Sequence, residues 1–91
     1  MSVLSKIRRA LFGQRYELTQ HAKEELEDDS LTLDDLKTAV LSGTITKKFT
    51  HDTRGTRYEI TGSTLDGGLM KLVGRFVSKG EFRVVTVFKI K

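Results

Sequence analysis

Leu69-Met70-Lys71-Leu72-Val73-Gly74-Arg75-Phe76-Val77, then Ser78-Lys79-Gly80-Glu81, then Phe82-Arg83-Val84-Val85-Thr86-Val87-Phe88-Lys89-Ile90 is the stretch that decides the fold. Both long runs are rich in β-branched and aromatic residues, and both largely alternate apolar with polar positions, the period-2 signature of a strand. The glycine-containing link is too short for a crossover, so the second run returns antiparallel to the first. Upstream, residues 56–61 read as another strand with Tyr58 and Ile60 on one face. It is joined forward by a loop over 62–68 that ends in Asp66-Gly67-Gly68, a hairpin signal. Residues 44–50 read as a strand with Ile45 and Phe49 inward, followed by a turn at His51-Asp52-Thr53-Arg54-Gly55. Four strands so close in sequence can pair only as an antiparallel meander.

Before Gly43 the apolar period is 3.6. Thr32 opens a helix with a capping-box pattern, Thr32-x-x-Asp35, whose apolar face is Leu33, Leu36, Val40 and Leu41. Gly43 stands where a left-handed terminating residue is wanted. Thr19 caps a helix running to about Asp28, with Leu18, Ala22 and Leu26 spaced by four, and Asp28-Asp29-Ser30 interrupts it. Residues 2–12 put Val3, Leu4, Ile7 and Leu11 on one stripe, with Lys6, Arg8 and Arg9 making a basic amphipathic helix and Gly13 a stop. The expected fold is therefore α+β: two or three N-terminal helices packed on one face of a four-stranded antiparallel meander sheet. Residues 1–15 form a basic helical extension and residues 16–91 a single domain.

Composition narrows the function classes. In 91 residues there are no cysteines, which excludes disulfides and thiolate zinc sites. No apolar run approaches the ~20 residues of a membrane helix, and no secretory signal core is visible, so a cytoplasmic setting is expected. The first helix, at about three turns, is too short for stable membrane association. The net charge of +4 conceals segregation. Residues 1–15 carry four cations and no anion, residues 16–37 sum to −6, and residues 38–91 sum to +6. A basic surface for a polyanion and a separate acidic surface for a protein partner both follow from that pattern. The first helix needs its stripe buried, either on the chain's own core or in a second copy. The acidic second helix offers counter-charges for Lys6, Arg8 and Arg9, and a homodimer is the favoured arrangement.

Strand parity sharpens the charge argument. With Ile45, Phe49, Tyr58, Ile60, Met70, Leu72, Phe76, Phe82, Val84, Thr86, Phe88 and Ile90 toward the helices, the opposite face shows Lys48, Arg57, Lys71, Arg75, Arg83 and Lys89. Only Glu59 opposes these six cations around a floor of Val73, Val85 and Val87. Such a face suits RNA or another polyanion. With the phenylalanines and Tyr58 inward, it offers no stacking platform for bases. A single bulge would reverse part of this assignment.

For chemistry, His21 in the first turn of the second helix has a side chain suited to proton transfer near neutral pH, with Glu24 and Glu25 at i+3 and i+4. A lone helical histidine also serves as a packing or capping residue. His51 lies in a turn, and no two-histidine metal motif, phosphate-binding loop or nucleophile motif is present. No cofactor or metal is expected.

Taken together, several segments resemble a known family: Leu18-Thr19-Gln20-His21-Ala22, Thr32-Leu33-Asp34-Asp35-Leu36, Ser42-Gly43-Thr44-Ile45, Gly55-Thr56-Arg57-Tyr58-Glu59-Ile60 with Gly62, and Val85-Thr86-Val87-Phe88. In order and spacing they resemble the bacterial domain-of-unknown-function family 4258. That family is grouped with RelE-type toxins of the barnase–EndoU–colicin–RelE ribonuclease-like fold. The resemblance covers about residues 16–90. It implies a compact helix-plus-sheet domain of the endoribonuclease-like toxin kind, acting without metal, with an antitoxin as a protein partner. His21, Arg57 and Thr86 match motif positions, with Tyr58 beside them. Two positions depart from the pattern: Glu25-Leu26 stands where members often carry an arginine before methionine, and Thr86-Val87-Phe88 replaces a closing Thr-Val-Tyr. The sequence thus supports an RNA-binding, endoribonuclease-like protein. Its alternative is a non-catalytic polyanion-binding or protein-interaction module, such as a degenerate toxin docking a partner.

Overall fold

In the computed structural model, which describes residues 2–51 and 53–91, the period change at Gly43 divides helices from most of the sheet. The element order is α1 (Val3–Phe12), β1 (Tyr16–Leu18), α2 (Gln20–Asp28), α3 (Leu33–Ser42), β2 (Thr44–Phe49), β3 (Arg57–Ser63), β4 (Leu69–Ser78) and β5 (Glu81–Lys89). Asp52, part of the expected 51–55 turn, lies outside the described residues.

Each helix begins at a side-chain cap. Ser2 accepts from the Ser5 N–H, Thr19 from the Ala22 N–H, and Thr32 with Asp35 completes the reciprocal capping box. α2 ends where Ser30 takes a left-handed φ of 55° and the Leu31 N–H reaches back to the Leu26 carbonyl at 2.8 Å. α3 ends differently from expectation. Gly43 is extended, with φ −94° and ψ −173°, not left-handed, and the chain passes directly into β2. The freed carbonyls of α3 are met instead by Arg8 of α1, which donates to Val40 O at 2.9 Å and Gly43 O at 3.2 Å. A cation at a helix C-terminus also opposes the negative end of its dipole. Arg8 is therefore engaged by α3 carbonyls, not by the acidic face of α2.

The sheet has five strands in the order β1-β5-β4-β3-β2. β2 to β5 form the expected antiparallel meander, but the expectation of four antiparallel strands is corrected by β1, which pairs parallel to β5 through Tyr16↔Phe82, Glu17↔Arg83 and Leu18↔Val84. The sheet is therefore mixed. Three residues between the Gly13 stop and the Thr19 cap suffice for this edge strand.

The core lies between the helices and one sheet face. Ile7, Ala10 and Leu11 of α1, Ala22 and Leu26 of α2, and Leu36, Ala39 and Val40 of α3 meet Ile60, Met70, Leu72, Phe82, Val84 and Val87. The α1 stripe is thus buried within its own chain: Ile7 and Leu11 are fully enclosed, and Val3 and Leu4 pack partly against the core. α3 approaches β3 closely at Gly62. A methyl there would stand 2.0 Å from the Ala39 carbonyl oxygen, so glycine is required by contact.

Two of the three register shifts revise the strand parity, the third falling at Val77 beside the β4–β5 turn. In β2, Ile45 opposes Ile60 but Lys47 opposes Glu59, leaving Thr46 as an extra residue. In β5, Val84 opposes Gly74 but Thr86 opposes Val73, leaving Val85 as the extra residue. Beyond each bulge the alternation inverts. Lys48 now opposes Tyr58 and Lys89 opposes Met70, so both stand on the helix-facing side and not on the open one. Phe49, Thr86 and Phe88 move the opposite way, onto the open face, while Val87 enters the core. Ile90, expected inward, follows the end of β5 and is exposed.

Candidate nucleic-acid interface

The helix-free face of the sheet carries a row of arginines across three strands. Arg83 on β5 opposes Arg75 on β4, and Arg57 occupies the same level of β3, directly opposite Phe49 on β2. Like charges facing one another across strands raise the energy of a sheet unless an anion is nearby. Arg83 has such a partner within the chain, since its Nε donates to Glu17 Oε1 at 2.6 Å across the β1–β5 pair. Arg57 lays its guanidinium on the Phe49 ring at 5.1 Å, with Lys47 on the same ring at 5.2 Å. Arg75, between them, is only 8% exposed and makes no ion pair among the described residues. It lies two residues along β4 from Val73, which shares its face and is 6% exposed.

Further along the strands, Lys71 reaches Glu59 at 3.5 Å, and Glu59 also accepts from Thr46 Oγ1 at 2.9 Å. Phe88, opposite Lys71, is 40% exposed. Of the six expected cations, Arg57, Lys71, Arg75 and Arg83 share this face, whereas Lys48 and Lys89 do not, and Lys47 takes the place of Lys48. The aromatic component that parity alone placed inside is present as Phe49 and Phe88. No local residue pattern announces the two bulges that put it there.

Beside this face lies the edge of β5. β1 covers its first half, and α2 runs along the second. There the carboxylates of α2 replace a neighbouring strand. Glu25 Oε1 accepts from the Val87 N–H at 3.0 Å and the Thr86 hydroxyl at 2.5 Å, and Asp29 Oδ2 accepts from the Lys89 N–H at 2.9 Å. Thr19 fixes the start of α2 to the same edge, with its N–H on Val84 O at 3.0 Å and its hydroxyl on Val85 O at 3.0 Å. Glu25 stands where the resembling pattern carries an arginine, and in this chain it holds helix to strand.

His21 lies one turn earlier, with Nε2 at 3.3 Å from the same Glu25 oxygen and its side chain 67% exposed. His21, Glu25 and Thr86 therefore form one contiguous group at the sheet edge. Arg57 is not part of it: β3 and β5 are two strand spacings apart, roughly 10 Å, and α2 lies beyond β5. The nearest arginines to Thr86 are Arg83 on its own strand and Arg75 on the adjoining one. A phosphate placed at His21 would be met from that side, not by Arg57. Among the described residues, no three histidine or carboxylate side chains converge as a metal ion requires. No helix among them is long and apolar enough to cross a membrane.

Comparison with known proteins agrees with the motif order. Residues 18–89 match the family described as Domain of unknown function (DUF4258), and the chain belongs to that family. α1 precedes the matched segment, although it supplies part of the core. No curated protein and no solved structure matches the chain.

Proposed function

We propose that the open sheet face binds single-stranded RNA. The observation that carries this reading is the row Arg83, Arg75 and Arg57 on the helix-free face, flanked by the half-buried Phe49 and the exposed Phe88. Phosphates neutralise the arginine row, and the exposed Phe88 ring supplies sequence-tolerant stacking for an unpaired base. Arg83 is paired with Glu17 across the β1–β5 edge, and Arg75 and Arg57 continue the row toward the middle of the sheet. With three to five phosphate contacts, log affinity falls against log salt with a slope of about −2 to −4 for a single strand. Reversing Arg57 and Arg75 to glutamate abolishes this binding. Unchanged affinity in that double variant, measured by fluorescence anisotropy on a labelled oligonucleotide, rejects the face.

A second reading is favoured by the His21–Glu25–Thr86 group beside the same row. In a RelE-like, metal-free cleavage, His21 takes the proton from a ribose 2′-hydroxyl. The 2′-oxygen then attacks phosphorus as the P–O5′ bond breaks, and the departing 5′-oxygen takes a proton from water, leaving a 2′,3′-cyclic phosphate and a 5′-hydroxyl. Arg83 and Arg75 stabilise the charge that develops on the phosphoryl oxygens. Total RNA incubated in EDTA is cleaved by the wild-type chain, and His21→Ala slows cleavage by ~10²–10⁴-fold. Full activity in His21→Ala, or strict dependence on a divalent metal, removes His21 from this role and leaves RNA binding as the function.

A further inference from the structure

On the opposite side of the sheet the helices do not cover everything. α3 lies over β3 and β4 and α2 runs beside β5, but the end of β3 and β4 near Tyr58 and Phe76 stays half-buried. Between this end, α1 and the β4–β5 hairpin is a cleft of about 900 Å³. Its floor is apolar: Val3 and Ala10 of α1, Tyr58, Phe76 and Val77. Lys6, Arg9, Arg15 and Lys79 stand around it, and no acidic side chain lines it. Arg15 is held in place, donating from Nη2 to Lys79 O at 3.1 Å across the hairpin. Lys6, Arg9 and Lys79 make no ion pair among the described residues.

We propose that this cleft binds a small phosphomonoester whose phosphate is carried on an apolar body. Its volume lies in the range of small-ligand sites, and its lining combines apolar side chains with four cationic ones. The floor accepts a flat ring against Tyr58 and Phe76, or an alkyl chain along Val3 and Val77. The rim supplies arginine forks and ammonium groups for a dianionic head. The row of α1 residues that contributes has its own logic. Val3, Lys6 and Ala10 fall on one flank of the helix, Arg9 borders it, and Ile7 and Leu11 face the core. One helix thus serves packing and ligand capture on adjacent flanks. Nothing in the cleft overlaps the open-face arginines, so the two sites are independent.

The test is a titration followed by the aromatic resonances of Tyr58 and Phe76, with adenosine 5′-monophosphate, octyl phosphate and inorganic phosphate as probes at constant ionic strength. At least one of the two organic phosphates shifts both rings and binds tenfold or more tightly than inorganic phosphate, and the tighter of the two names the natural body as a nucleoside or an alkyl chain. The double variant Lys6→Glu with Arg9→Glu changes two exposed positions and weakens that binding at least tenfold, while its RNA affinity falls less than twofold. Arg57→Glu with Arg75→Glu leaves phosphomonoester binding intact. The proposal is overturned if neither organic phosphate moves the two rings, if inorganic phosphate binds equally well, or if the open-face variant abolishes the binding.

Discussion

Replacing Glu25 with alanine tests whether α2 truly acts as the missing neighbour of β5. The substitution removes the acceptor of the Val87 N–H and of the Thr86 hydroxyl, and the electrostatic partner of His21. Val87 is fully buried, so its N–H loses a partner that water replaces poorly, at about 1–3 kcal/mol. The half-buried Thr86 hydroxyl rotates toward solvent, adding roughly 0.5–1 kcal/mol. The His21 contact is exposed and contributes about 0–0.5 kcal/mol. The sum is about 1.5–4.5 kcal/mol, which for a domain of this size lowers Tm by roughly 6–35 °C. Urea unfolding followed by far-UV circular dichroism measures the stability, and native-state hydrogen exchange reads the Val87 amide directly. Glu25→Gln keeps an acceptor oxygen and loses about half as much. If Glu25→Ala stays within 0.5 kcal/mol of wild type and the Val87 amide remains protected, the helix is not closing that edge and the reasoning fails.

Gly62→Ala places a methyl 2.0 Å from the Ala39 carbonyl oxygen and 2.7 Å from the Ala39 Cα, and costs about 1–3 kcal/mol or more as α3 is pushed from β3, read as a fall in Tm. Asp35 has its carboxyl held below the usual carboxylate range, first by the Leu65 N–H at 2.9 Å and then by the Thr32 N–H and hydroxyl, against opposing contributions from burial and Asp66. A depressed folded-state pKa contributes stability that is fully present above the unfolded value near pH 4 and is lost as pH falls through the folded value. Asp35→Ala therefore costs about 0.5–2 kcal/mol at pH 7 and progressively less at pH 3, measured by urea unfolding at both. A constant difference between the two pH values contradicts the assignment.

The second and third helices were legible because each carries its own punctuation: Thr19 and Thr32 cap where their sequence positions predict, and the Thr32–Asp35 box forms both of its bonds; the first was legible from its apolar stripe, without its Ser2 cap. The meander was legible because short links leave no other pairing. What sequence could not convey is long-range. β1 is three residues long, and its partner lies more than sixty residues away, so Tyr16-Glu17-Leu18 carries only a brief alternation between a stop and a cap. The bulges at Thr46 and Val85 sit in β-branched residues that ordinary strands favour, with no glycine to mark them. A period of two amplifies such a miss, because one extra residue inverts every side chain beyond it. Hence Arg57 on β3, and Lys71, Arg75 and Arg83, which precede the bulges of their own strands, keep their expected face, while Lys48, Thr86 and Lys89 change theirs. His21 and Thr86 came together through Glu25, whose acidic neighbours at 24, 27, 28 and 29 disguise it as one more solvated charge.

The segment Val85-Thr86-Val87-Phe88 is β-branched, aromatic and uncharged, the composition that templates fibrils when a strand edge is left bare. Natural sheets blunt such edges with prolines, isolated lysines or extra turns of chain. This one uses two carboxylates a helical turn apart, Glu25 and Asp29, each satisfying one main-chain amide of β5. The gatekeeper is therefore tethered in cis: the helix that closes the strand edge belongs to the same chain, and its two carboxylates occupy the amides that a foreign strand would need.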